Sequence, residues 1–127
     1  MKFFGVGTDI VNVNRISKSI KKVKFLNKVF DTVEIKKCKK LKNASNCYAK
    51  RFAAKEAFSK AIGLGISQGI KFNEIIVHNN KYGKPSIKLI GKTKKITLKS
   101  IDKKRINIFL SLTDDKPFAI ATVVITS

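Results

Sequence analysis

The sequence predicts an α+β fold: a single compact domain, residues 1–127, in which a long helix packs on a mostly antiparallel sheet. Three observations carry this expectation. The 127 residues are about one domain's worth, enough to bury roughly two-thirds of the unfolded surface but too few for two ordinary cores. Strand-like and helix-like apolar patterns follow one another in the order βααα then ββαββ. One alanine-rich stretch, from Ala44 or Ser45 to Ile62, is the strongest helix in the chain.

Phe3 to Val11 is apolar on both faces and reads as a buried strand, after which Asn12 or Asn14 can cap a helix. From Arg15 to about Val29, apolar Ile16, Ile20, Val23, Leu26 and Val29 recur near helical spacing between lysines, giving one basic amphipathic helix or two short ones. Asp31-Thr32-Val33-Glu34 has the form of a capping box and starts the next helix, which ends near Lys39 to Lys42. The alanine-rich helix follows and stops at Gly63, where a loop punctuated by Gly63, Gly65 and Gly69 begins. Asn73 to His78 and Ser86 to Ile90 pair across the turn residues Asn79 to Pro85. Gly91 to Ile101 is a weaker helix, and Ile106 to Leu112 with Phe118 to Ile125 supplies two last strands around Thr113 to Pro117.

Composition narrows the function. The net charge of +20 attracts polyanions, whether nucleic acid, anionic lipid or an acidic protein. All but three of the 28 basic residues, Arg15, Arg51 and Arg105, are lysine, and the accompanying Ile and Asn suggest that codon bias supplies part of the charge. Lysines fall on almost every segment, and the nine Phe residues fit core positions rather than a stacking platform, so a small basic nucleic-acid-binding module is the alternative reading rather than the first. No apolar run approaches the roughly 18 residues needed to cross a bilayer, and Met1 to Gly5 lacks a signal-peptide layout, so a cytoplasmic protein without membrane contact is expected. Cys38 and Cys47 form no Cys-x-x-Cys pair and His78 stands alone, so neither a disulfide framework nor a zinc site is expected and any metal is held by oxygen.

Two of the eight acidic residues stand inside apolar elements. Asp9 shares a strand face with Phe3, Gly5, Gly7 and Val11, so its carboxylate needs a metal or a lysine. Glu56 lies on one helical row with Tyr48, Phe52 and Lys60, beside the small Ala49, Ala53 and Ala57. Spacing alone also fits an i, i+4 pair between Glu56 and Lys60 worth about 0.3–0.5 kcal/mol, and a turn or capping role for Asp9. The functional reading is that Asp9 and Glu56 converge on one Mg²⁺, with Lys60 reaching the same phosphates. No Walker loop is present, and Gly5-Val6-Gly7-Thr8-Asp9 lacks the third glycine of a dinucleotide fingerprint.

Three blocks in order carry a family likeness: Gly5-Val6-Gly7-Thr8-Asp9-Ile10-Val11, then Arg51-Phe52-Ala53-Ala54-Lys55-Glu56-Ala57 with Lys60 and Gly63, then Gly83-Lys84-Pro85. With these the chain resembles the holo-acyl-carrier-protein synthases, a 4′-phosphopantetheinyl transferase family, over nearly its full length. The resemblance implies that family's fold and transfer of phosphopantetheine from coenzyme A to a serine of acyl carrier protein. It implies Mg²⁺ on Asp9 and Glu56, phosphate contact by Lys60, and a nucleotide end of coenzyme A held by Gly63, Gly65, Gly83, Lys84 and Pro85. It further implies a homotrimer with active sites between subunits, and docking of the acidic carrier on Arg15, Lys18, Lys21 and Lys22. Two departures from the family pattern, Leu64 and Asp114, stand where many relatives carry Thr and His.

Overall fold

The computed structural model describes all residues 1–127. Strand β1 (Phe3–Asn12) leads into two short helices, α1 (Val13–Ser19) and α2 (Val23–Val29), then α3 (Thr32–Cys38) and the central helix α4 (Ala44–Ile62). A hairpin of β2 (Ile75–Asn79) and β3 (Pro85–Leu89), helix α5 (Gly91–Ile101) and strands β4 (Asn107–Asp115) and β5 (Phe118–Thr126) complete the chain. All strand pairing is antiparallel, in two sheets ordered β1-β5-β4 and β2-β3. No helix is long and apolar enough to cross a membrane.

Local chemistry sets the boundaries. Asn12 caps α1 by accepting from the Asn14 amide, and Asp31 and Glu34 form the expected reciprocal box at the start of α3. Gly63 ends α4 at φ 72°, the left-handed region that glycine enters without strain. Helix α4 is buried on most of its circumference, its alanines 49, 53, 54 and 57 lying flat against Ala119, Ala121, Val123 and Ile125 of β5 and against β1.

A fully buried ion pair ties the helices to the hairpin. Lys55 and Glu34 are 0% and 1% exposed, and Lys55 Nζ donates to Glu34 Oε1 at 2.7 Å and to the carbonyls of Phe72 and Ile75 at 2.8 and 2.5 Å. Glu34 also accepts from the Asp31 and Val77 amides. Every donor of Lys55 is therefore satisfied, the condition under which a buried charge is tolerated.

Three expectations are corrected. Strand β1 is not buried on both faces: Phe4, Val6 and Ile10 are exposed, because β1, β5 and β4 form one layer with α4 on the inner side and nothing on the outer. For the same reason Phe3, Phe4, Phe109 and Phe118 are 41–61% exposed and are not core residues. Cys38 and Cys47 form a disulfide with a Cα–Cα distance of 5.5 Å. The turn between α3 and α4 reverses the chain, so two cysteines nine positions apart meet without any motif to announce it.

Candidate active site

Close approach of β1 to α4 builds the first part of the site. A Cβ on Gly5 or Gly7 would overlap the backbone oxygens of Ala61 and Ala57, so the strand lies directly on the helix only because both positions are glycine. Two residues along a strand advance about 6.6 Å and four along a helix about 6 Å. The pairing Gly5 to Ala61 and Gly7 to Ala57 therefore carries Asp9 to the next turn of α4, beside the row of Glu56 and Lys60.

The side chains follow that geometry. Lys60 Nζ donates to Asp9 Oδ1 at 3.1 Å and to the Thr8 carbonyl at 3.0 Å, so the lysine that Asp9 required is Lys60, and the helix pair Glu56–Lys60 is not the one formed. Glu56 is half-buried and takes no hydrogen bond or ion pair. Burial first, and the neighbouring Asp9 carboxylate second, push the Glu56 carboxyl above its ordinary value, while Lys60 and Arg15 pull it down. Two neighbouring carboxylates, of which only Asp9 has a cation, are a donor set of hard oxygens suited to Mg²⁺.

A second, basic cleft of about 680 Å³ opens at the other half of α4. Its wall includes Lys37 of α3, Asn46, Lys50 and Arg51 of α4, Asn79 of β2, and Gly83 and Pro85 of the hairpin turn. Arg51 is only 4% exposed; it donates to Asn79 Oδ1 at 3.0 Å and to Cys47 Sγ at 3.2 Å, and its Nε has no partner at all. A nearly buried guanidinium in the wall of a cleft rimmed by lysines gives that cleft a positive charge suited to an anion such as a phosphate. Asp114 accepts from Asn46 and pairs with Lys50 at 3.2 Å, placing this departure from the family pattern at the cleft's edge.

The structure thus brings Asp9, Glu56 and Lys60 together, and Gly83 and Pro85 with Arg51, but does not join the two groups within one chain. Asn46 and Glu56 stand about 15 Å apart along α4. Gly63 and Gly65 lie beyond the end of α4 near Lys60, away from the hairpin turn, and Lys84 does not line the cleft. Arg15, Lys18, Lys21 and Lys22 are all exposed, Arg15 lying 6.0 Å from the Phe52 ring. Sequence reasoning missed Lys37, Lys50, Arg51 and Asn79. A signal existed for Arg51, a charged residue inside an alanine-rich helix, the same signal that singled out Glu56.

The sequence model of the family described as the 4′-phosphopantetheinyl transferase superfamily matches residues 5–123. The chain is 47% identical over 125 residues to a holo-[acyl-carrier-protein] synthase of Pelagibacter ubique, covering 98% of each. It superposes with TM-score 0.81 on a holo-(acyl-carrier-protein) synthase of Bacillus anthracis in complex with CoA (3′,5′-ADP), at 34% identity and covering 100% and 99% of the two chains. It matches the Helicobacter pylori holo-[acyl-carrier-protein] synthase in complex with coenzyme A with TM-score 0.79, at 35% identity and 95% and 99% coverage.

Proposed function

The chain belongs to the 4′-phosphopantetheinyl transferase superfamily, and we propose that it transfers the 4′-phosphopantetheine group of coenzyme A to a serine of apo acyl carrier protein, releasing 3′,5′-ADP, in the cytoplasm and in support of fatty acid biosynthesis. The observation that carries this reading is the meeting of Asp9, Glu56 and Lys60, residues up to 51 positions apart, and it is joined by a basic cleft on the same helix walled by Lys37, Lys50 and Arg51. Relatives crystallised with coenzyme A add to it.

Asp9 and Glu56 hold Mg²⁺ in this proposal, and the bound ion supplies positive charge to pyrophosphate oxygens. Lys60, anchored on Asp9 and Thr8 with its ammonium partly exposed, donates to the phosphate that is transferred and stabilises charge on the leaving 5′-phosphate oxygen of 3′,5′-ADP. The serine proton passes through a water to Glu56, while the serine oxygen forms the new bond to the β-phosphorus and the bond from that phosphorus to 3′,5′-ADP breaks. Arg51, Lys37 and Lys50 fix the nucleotide end by charge-assisted hydrogen bonds.

A single chain presents its acid pair and its cleft on different parts of α4, so we propose a homotrimer in which one subunit's acids face the next subunit's cleft. The outer sheet face supports this: Val6, Val124 and Phe109 form one cross-strand row and Ile10 and Ile120 another, with no element covering them. A contiguous exposed apolar face of this kind is what a self-association surface offers. Arg15 lies over Phe52 on the Glu56 row, and together with the exposed Lys18, Lys21 and Lys22 it suits the docking of an acidic carrier.

The test is to incubate the purified protein with coenzyme A, apo acyl carrier protein and Mg²⁺ and to weigh the carrier by mass spectrometry. The expected result is a gain of one phosphopantetheine, lost when EDTA is added. An unmodified carrier, together with tight salt-sensitive RNA binding, would instead support the nucleic-acid reading.

A further inference from the structure

At the centre of the basic cleft one side-chain amide carries three bonds. Asn79 Oδ1 accepts from Lys37 Nζ at 2.8 Å and from Arg51 at 3.0 Å, and Asn79 Nδ2 donates to the Gly83 carbonyl at 3.0 Å. The reversed amide would point its NH₂ at two cations and its oxygen at a carbonyl, so the partners fix its orientation. Asn79 is the last residue of β2 and pairs with Pro85 across the hairpin, which sets its side chain between α3, α4 and the Gly83 turn.

We propose that Asn79 is a positioning residue of the cleft: its neutral amide holds Lys37 and Arg51 side by side and the Gly83 turn in place while leaving both cations free to meet an anionic ligand. This rests on the reading of the cleft as the seat of the nucleotide end of coenzyme A. Two positive groups converge on a single uncharged oxygen, an arrangement that partly satisfies their hydrogen bonding but none of their charge. Burial and the adjacent Arg51 both lower the affinity of Lys37 for its proton, as expected for cations held together without an anion. Glu34 is the acid that acts on Arg51, and it is already engaged by Lys55; Asp114 is engaged by Lys50 and Asn46. The cluster therefore lacks a carboxylate of its own, and an arriving phosphate finds two oriented cations with their charge unspent.

A carboxylate at position 79 separates positioning from mere structural support. Asn79→Asp keeps the acceptor and adds charge attraction to Lys37 and Arg51 while giving up the donation to the Gly83 carbonyl, so the two effects oppose and the ligand-free protein should melt close to the wild type. The same carboxylate competes with phosphate and repels it, so affinity should fall by about tenfold or more, the effect of losing one charge-assisted hydrogen bond. Binding of 3′,5′-ADP is measured by calorimetry without Mg²⁺, so that the acid pair plays no part, and KM for coenzyme A is measured in the transfer assay. Asn79→Ser, which removes both arms of the amide without adding charge, serves should the Asp variant misfold; it should weaken binding less. Arg51→Gln tests the cleft itself. Weaker binding in Arg51→Gln and in Asn79→Asp, the latter with a melting temperature close to the wild type, supports the inference. Weaker binding in Arg51→Gln with wild-type affinity in both Asn79 variants overturns the role of Asn79 alone. Wild-type affinity in Arg51→Gln overturns the cleft reading.

Discussion

Replacing Gly7 by Ala tests the link between packing and site most directly. The added Cβ would fall on the Ala57 backbone oxygen, and helix backbone cannot swing aside as a side-chain tip can. To restore ordinary contact β1 must retreat from α4 by about 1.5 Å, at a cost of roughly 1–3 kcal/mol of stability. Asp9 rides on that strand two residues further and Glu56 precedes Ala57 on the helix, so the same retreat separates the two carboxylates. A displacement near 1 Å at a reacting centre costs about 100-fold in rate. Urea unfolding measures the first quantity and the initial rate of mass gain on the carrier, at saturating coenzyme A and Mg²⁺, measures the second. A folded Gly7→Ala protein that transfers at the wild-type rate would refute both the glycine argument and the placement of the site between β1 and α4.

Other outcomes follow from the same structure. Glu56 has a raised carboxyl value in the fold, so its contribution to stability is complete below the usual glutamate range and is lost as pH rises through the folded value; in metal-free buffer at pH 7 Glu56→Gln should therefore melt above the wild type, the gain should vanish under acid conditions, and added Mg²⁺ should no longer raise the melting temperature. Lys55→Met should cost about 3–5 kcal/mol in urea unfolding, because it strands the buried Glu34 and two carbonyls, and a partial recovery is expected when Glu34→Gln is added. Val6→Lys with Phe109→Lys places charge on the outer sheet face; sedimentation should report a shift from trimer to monomer together with loss of transfer activity, and an active monomer would remove the shared-site proposal.

What the sequence revealed divides by range. Elements bounded by local chemistry were readable: the Asp31–Glu34 box, the Gly63 stop and the turn-rich stretch between β2 and β3 each act over a few residues. Asp9 and Glu56 were readable because a carboxylate in an apolar pattern is conspicuous against so few acids. Tertiary partners were not. Glu34 has the signature of a surface cap, yet its second acceptor role toward Lys55 spans 21 positions and buries both groups. Asn79 belongs to a turn by composition, and only the packing of the hairpin against α3 and α4 makes it the meeting point of Lys37 and Arg51. Strand β1 misled because an apolar face left open in the single chain has the same pattern as one that faces a core.

The eight carboxylates also explain why the site can be told from the lysine field around it. Asp31 and Glu34 cap α3, Glu74 accepts from the amide and hydroxyl of Thr93 in the first turn of α5, and Asp114 meets Lys50. Asp102 ends α5 in the left-handed conformation and Asp115 is exposed beside the final turn. Asp9 has Lys60. Glu56 alone is half-buried, next to a like charge and without a bonded partner, although the chain carries 28 basic residues that could have supplied one. An excess of lysine that leaves this carboxylate open, and whose nearest member binds Asp9 instead, points to a partner that is not a side chain. In the proposed site a divalent cation would be held by Asp9 and Glu56 and would supply the positive charge that no lysine here gives Glu56.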